Sequence, residues 1–171
     1  MKKVLHIVLY EPEIPQNTGN IMRTCAAFNM HLHLIEPLGF VMDEKHLRRS
    51  GLDYRSFCSY RIYPDWQHFL DENEGSFYYV TRYGKRNPSS FDYTLDKGDI
   101  YLIFGKESTG IPKAILAQHL ERCMRIPMVK EARSLNLSNC VALCAYTVLA
   151  QLGFPGLSAT EYIKGEDWLL K

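Results

Sequence analysis

No run of apolar residues in this chain approaches the eighteen or so needed to cross a bilayer. The amino terminus breaks its short apolar stretch with His6 and follows it with Glu11-Pro12-Glu13, unlike a secretory leader, so a cytoplasmic protein with no membrane partner is expected. Charge of one sign is also missing. The 20 basic and 19 acidic residues leave a net charge of +1, so any nucleic-acid contact has to come from local clusters. Five cysteines, odd in number and without a CxxC pair, exclude a legible disulfide framework or zinc site and point to reduced thiols. The G-x-G-x-x-G dinucleotide fingerprint is absent. Gly105-Lys106-Glu107-Ser108-Thr109-Gly110 begins like a phosphate loop, but Ile111-Pro112 stands where that loop needs Lys and Ser or Thr, and the nucleoside triphosphate reading fails.

What the chain does have is enough apolar material for one packed domain: 171 residues, 46% hydrophobic and 12% aromatic. Residues 4–10 read as a buried strand ended by Pro12 and Pro15, and from Thr18 the residues Ile21, Met22, Cys25, Ala26 and Phe28 have helical spacing. Residues 32–35 form a second strand closed by Pro37, completing a β-α-β unit. Asp43 can cap a short helix through Arg49, and residues 66–70 suggest another after Pro64-Asp65. Residues 77–81 and 100–104 are further strands, Pro112 opens a helix through Leu120, and residues 123–128 supply one more strand. The last helix is the clearest element. Leu137, Val141, Cys144, Ala145, Val148, Leu149 and Leu152 line one broad apolar face, Gly153 and Pro155 stop it, and Ser134, Asn136, Ser138 and Asn139 crowd its expected first turn. Alternating strands and helices predict an α/β fold, a mostly parallel sheet with helices on both faces. Ligands of such sheets bind beyond the carboxyl ends of the strands, where residues 12–20, 81–90, 105–110 and 128–134 lie in this reading.

Several residues stand out against that frame. Arg23 is expected in the first turns of its helix, where a cation is disfavoured unless it faces solvent or an anion. Lys45-His46-Leu47-Arg48-Arg49 with Tyr54-Arg55, and Arg82-Tyr83-Gly84-Lys85-Arg86, are basic and partly aromatic clusters of the kind that meets phosphates and stacks on bases, or simply faces solvent. His31 and His33 alternate on one strand face but lack a third metal ligand, so no metal site is expected.

Taken together, Asn17-x-Gly19-Asn20-x-x-Arg23, Phe104-Gly105-x-Glu107-x-x-Gly110, and Ile126-Pro127-Met128 with Ser134-Leu135-Asn136-Leu137-Ser138-Asn139 and Tyr146 resemble the SPOUT-class RNA ribose 2′-O-methyltransferases. Within that class, the stretch from Leu9-Tyr10-Glu11-Pro12 to Gly19-Asn20-Ile21, and Leu47-Arg48-Arg49-Ser50-Gly51-Leu52-Asp53-Tyr54, are similar to the small enzymes that methylate the wobble ribose of tRNA. The resemblance covers residues 4–155 and implies a methyltransferase domain over 1–155, with 156–171 as a tail outside it. It further implies a carboxyl-terminal deep trefoil knot, a feature that general topology rules disfavour. S-adenosylmethionine would be held at the knot by Val80, Gly105, Ile126 and Ser134, largely through backbone atoms, with no metal. A homodimer and a tRNA anticodon stem-loop are the implied partners.

The resemblance casts Arg23 as the catalytic residue, with Tyr146 positioning substrate. A guanidinium gives up its proton only above about pH 12 and is a poor general base, so Arg23 is assigned to the developing alkoxide and the ribose or its phosphate. Asn17, Asn20, Glu107 and Asn139 are expected to fix loops, and Arg48, Arg49, Arg82, Lys85 and Arg86 to meet RNA. The expected reaction is methyl transfer to the 2′-hydroxyl of nucleotide 34, a cytidine or modified uridine. Two alternatives stay open: a 2′-O-methyltransferase for another tRNA or ribosomal RNA position, and an RNA-binding module that keeps the pocket without catalysis.

Overall fold

Six parallel strands form a single sheet in the order β3-β2-β1-β5-β4-β6, where β1 is Leu5–Tyr10, β2 His31–Ile35, β3 Tyr60–Tyr63, β4 Ser76–Val80, β5 Ile100–Phe104 and β6 Cys123–Met124. The computed structural model describes residues 3–43 and 58–171. Among the described residues four α-helices accompany the sheet: α1 Pro15–Ala27, α2 Trp66–Glu72, α3 Lys113–Leu116 and α4 Leu137–Gln151.

The two-residue periodicity of each strand sends alternate side chains to opposite faces, so both faces must be covered. Leu5, Ile7, Leu9, Leu32, Leu34, Ile100, Leu102 and Phe104 meet Ile21, Met22 and Cys25 of α1 and Val141, Cys144, Ala145, Val148 and Leu149 of α4. Val8, Ile35, Tyr63, Tyr79, Tyr101 and Ile103 meet Phe69 of α2 and Leu116 of α3. Each fully buried Val, Leu or Ile contributes about 1.5–3 kcal/mol by leaving water, and this two-sided burial fixes the strand register. The helix α4 ends in two hydrogen bonds, from Gly153 N to Ala150 O at 3.3 Å and from Phe154 N to Leu149 O at 2.9 Å. Gly153 supplies the left-handed backbone that this stop needs, at φ +74°.

Several elements differ from the sequence reading. Pro15 does not end a strand loop but opens α1, three residues before the expected start. At the first helical position its missing N–H costs nothing and its fixed φ suits the helix. The sequence reading has no strand at β3; Tyr60, Ile62 and Tyr63 favour a strand, but with Arg61 among them and Pro64 directly after, the stretch is too short to show a period. Pro112 precedes a helix of one turn rather than one reaching Leu120, and residues 120–122 form a separate 3-10 turn. The last strand stops at Met124 rather than residue 128. Ser134 lies outside the final helix, because Asn136 is its N-cap and accepts from Ser138 N at 2.9 Å. The proposed helix from Asp43 to Arg49 falls largely on residues 44–57, outside those described.

Candidate active site

Sheet order alone brings three of the expected cofactor residues together. Val80 ends β4 and pairs with Phe104 on one side and Met124 on the other, so Val80, Gly105 and Ile126 project from the carboxyl ends of three neighbouring strands. The backbone there is tightly interleaved. A Cβ on Gly105 would lie 2.1 Å from the carbonyl carbon of Gly110 and 2.2 Å from the nitrogen of Ile111, because the loop folds back across its own first residue, closed by a Gly110 N to Lys106 O hydrogen bond of 2.8 Å. On Gly84 a Cβ would meet the Met124 carbonyl carbon at 2.4 Å. Loop 81–86 thus wraps the chain at residues 124–125, held by Thr81 N to Met124 O at 2.9 Å and Arg125 N to Arg86 O at 2.8 Å. The Arg125 guanidinium adds a bond to Arg82 O at 2.6 Å.

A second set of contacts fixes these loops from the side. Glu107 accepts from Glu13 N at 2.9 Å, Ile14 N at 3.2 Å and Asn17 Nδ2 at 3.1 Å, which places a carboxylate at the N-terminus of α1. That terminus has unsatisfied N–H groups and a positive dipole end, both of which favour an anion. The Asn17 carbonyl oxygen accepts from Asn136 Nδ2 at 2.9 Å, and Asn136 Oδ1 accepts from Ser138 N and from Ser138 Oγ at 2.6 Å. In return the Glu13 carboxylate accepts from Ser108 N and Oγ, both at 2.8 Å, which holds its pKa below the ordinary glutamate value. Lys106 Nζ pairs with Glu11 Oε2 at 2.6 Å. Asn136, Glu13, Ser108 and Lys106 were not singled out by the sequence reading for this work, although Asn136 two residues before Ser138 was a readable capping pattern.

Other expected residues fall elsewhere. The side chains of Asn20 and Asn139 are exposed and have no partner among the described residues. Ser134 is exposed in the segment leading to α4. Arg23 is the ninth of thirteen residues of α1, not in its first turns, so its charge does not oppose the helix dipole there. Its side chain is exposed, and no group among the described residues engages the guanidinium. Tyr146 lies on α4, which packs against α1; it is 57% exposed, with its ring 5.3 Å from that of Phe154.

The basic residues divide. Arg82 and Lys85 are exposed on loop 81–86, but Arg86 is committed: its guanidinium bonds Ser90 O at 2.6 Å and lies 3.8 Å from the Phe91 ring centre. Arg48 and Arg49 lie outside the described residues. The histidines are engaged with one another. The Asp99 carboxylate only accepts, so with both rings neutral His6 Nε2 (3.3 Å) carries the proton. His6 Nδ1 then accepts from His33 Nε2 at 2.8 Å, and His33 Nδ1 accepts from Tyr63 OH at 2.9 Å. With its ring nitrogens used in this way, His33 has none left for a metal. No group of three or more potential ligands capable of holding a metal ion occurs among the described residues.

A sequence profile of the SpoU rRNA Methylase family fits residues 4–146. The chain belongs to that family. A candidate tRNA (cytidine(34)-2′-O)-methyltransferase of Geobacillus stearothermophilus is 53% identical over 155 residues, spanning 90% of this chain and 99% of that protein. The tRNA (cytidine(34)-2′-O)-methyltransferase of Escherichia coli K12 is 48% identical over 155 residues, spanning 90% and 97%. A solved structure described as giving structural insights into the 2-OH methylation of C/U34 on tRNA superposes with a TM-score of 0.80 at 38% identity, covering 88% of this chain and 97% of that one.

The site can be tested for the cofactor this family implies. The side chains of Lys106 and Glu107 turn away to residues 11–17, so the charged groups of the glycine loop are occupied elsewhere. The backbone N–H and C=O of Ile126 have no partner among the described residues. Free main-chain donors and acceptors beside a side-chain-free glycine suit an adenosine and amino-acid ligand, and the residues present fit S-adenosylmethionine.

Proposed function

We propose that this protein is a tRNA (cytidine(34)-2′-O)-methyltransferase that takes its methyl group from S-adenosylmethionine. The observation that carries the reading is the meeting of Val80, Gly105 and Ile126 at adjacent strand ends, in a chain 48% identical over 90% of its length to the Escherichia coli tRNA (cytidine(34)-2′-O)-methyltransferase. Residues 1–155 form the methyltransferase domain and 156–171 a tail. The wrapping of loop 81–86 around residues 124–125 supports a deep trefoil knot in the carboxyl-terminal half.

When bound, S-adenosylmethionine supplies an electrophilic methyl on a sulfonium. The protein's part is to hold the donor and to orient a ribose in line with it. Val80, Gly105 and Ile126 hold the donor through backbone atoms, and Ser134 adds a hydroxyl from the segment before α4. Arg23, whose guanidinium has no partner among the described residues, stabilises the alkoxide as the 2′-hydroxyl loses its proton and steadies the ribose or its phosphate. Tyr146 positions the substrate. Arg82 and Lys85 meet RNA phosphates, and Arg48 and Arg49 join them from residues 44–57. The reaction needs no metal from the protein.

A homodimer completes the site in this reading. Leu143 and Tyr146 are 51% and 57% exposed on α4, beside α1 with Arg23. A partner seated there would remove them from water and bring Arg23 towards a strand-end loop. Five free cysteines, four of them buried, suit a reducing cytoplasm. Incubating the pure protein with labelled S-adenosylmethionine and unmodified bulk tRNA, then mapping nucleosides, tests the reading. A 2′-O-methyl group at position 34 supports it, and label at another position or none refutes it.

A further inference from the structure

We infer that Tyr83 is a stacking platform for an RNA base beside the reacting nucleotide, an inference that rests on the tRNA-methyltransferase reading and deepens it. The ring is 75% exposed, more than any other aromatic outside the tail among the described residues. It is three residues past Val80, so its backbone lies within about 10 Å of the strand end expected to hold the donor.

An exposed tyrosine on a loose loop would mean little, but this loop is fixed on both sides. Gly84 is wedged against the Met124 backbone with no room for a Cβ, and Thr81 N bonds Met124 O at 2.9 Å. Arg125 ties both Arg82 O, at 2.6 Å, and Arg86 O, at 2.8 Å. Tyr83 N itself lies 3.3 Å from Thr81 Oγ1. The ordering cost of the backbone is therefore already met before any ligand arrives, and a rigid ring binds with less entropic loss.

The surroundings select the ligand. Residues 81–90 contain Arg82, Lys85 and Arg86 and no acidic residue. The Arg82 guanidinium lies over one face of the Tyr83 ring, 5.8 Å from its centre, and both residues stay exposed, which leaves the opposite face of the ring for a base. A flat π-face backed by a cation matches an unstacked base and a nearby phosphate, the pairing used for single-stranded RNA. An anticodon loop presents such bases on both sides of position 34.

The test uses the full-length protein, S-adenosylhomocysteine and a labelled unmodified anticodon stem-loop. Tyr83→Ala should weaken RNA binding about 10- to 100-fold, the range for losing one stacked base. Tyr83→Phe should stay within about twofold of wild type, and S-adenosylmethionine affinity should not change. The salt dependence should keep its slope in Tyr83→Ala but lose about 0.7 in Arg82→Ala, since only the latter removes a phosphate contact. Wild-type RNA affinity in Tyr83→Ala overturns the platform, as does a parallel loss of cofactor affinity or a Tyr83→Phe loss as large as that of alanine. These outcomes leave the wider reading standing if the wild-type protein still methylates position 34. Failure of the wild-type protein to bind the stem-loop overturns both.

Discussion

Asn17 links Glu107 to Asn136: its amide donates to the carboxylate at 3.1 Å, and its carbonyl oxygen accepts from Asn136 at 2.9 Å. One buried side chain thereby ties the glycine loop after β5, the start of α1 and the start of α4, three elements from distant parts of the sequence.

Removing the carboxylate should loosen that junction. Glu107→Ala leaves the amides of Glu13 and Ile14 and the side chain of Asn17 without their acceptor, and should lower stability by about 1–3 kcal/mol. Urea denaturation measures this directly. A change under about 0.5 kcal/mol would show that the contacts are dispensable.

Glycine substitutions should separate by position. Gly84→Ala and Gly105→Ala each force a Cβ to within 2.5 Å of backbone and should cost several kcal/mol or prevent folding, about the scale of severe core overpacking. Gly98→Ala meets nothing within 4 Å and bears only the strain of φ +79°, about 1–2 kcal/mol. Equal melting temperatures for Gly84→Ala and Gly98→Ala would contradict the interleaved backbone.

Much of this was readable in the sequence, and the misses have physical causes. The runs at residues 5–10 and 100–104 are buried on both faces, and α4 shows its apolar face at helical spacing, so those elements announce themselves. The strand β3 does not, because its four residues, Tyr60 to Tyr63, are too few to establish a period and Pro64 follows them directly. The start of α1 was misplaced because Glu107, 90 residues from Asn17, holds its first turn in place of a local cap. Residues 125–128 have strand-like composition, but Arg125 gives its N–H to the wrapping loop instead of a ladder. Arg23 and the glycine loop were singled out only through their motif spacing. Periodicity could not tell which polar side chains near α4 would be engaged: Asn136 is, and Asn139 is not.

Acid should weaken the fold through the histidine pair. Burial pushes His33 down to about 3 and lowers His6 as well. A histidine with a folded pKa below its unfolded value of about 6.5 gives full stability above that value and loses it as pH falls towards 3. A second proton on His6 Nδ1 would also face the His33 Nε2 proton across 2.8 Å. Wild-type stability should fall between pH 7 and 4, with up to about 3 kcal/mol from His33 alone. His33→Phe should start less stable but show a flatter pH profile. Parallel profiles for the two proteins would exclude this origin.

The division of labour between strand-end loops and Arg23 is tested most directly by measuring S-adenosylmethionine affinity and the single-turnover methylation rate at position 34 together in Arg23→Ala. Affinity should stay within about twofold of wild type while the rate falls by roughly two to three orders of magnitude, the loss typical of one oxyanion donor. An unchanged rate, or a loss of affinity as large as the loss of rate, would contradict the assignment of Arg23 to the reacting oxygen.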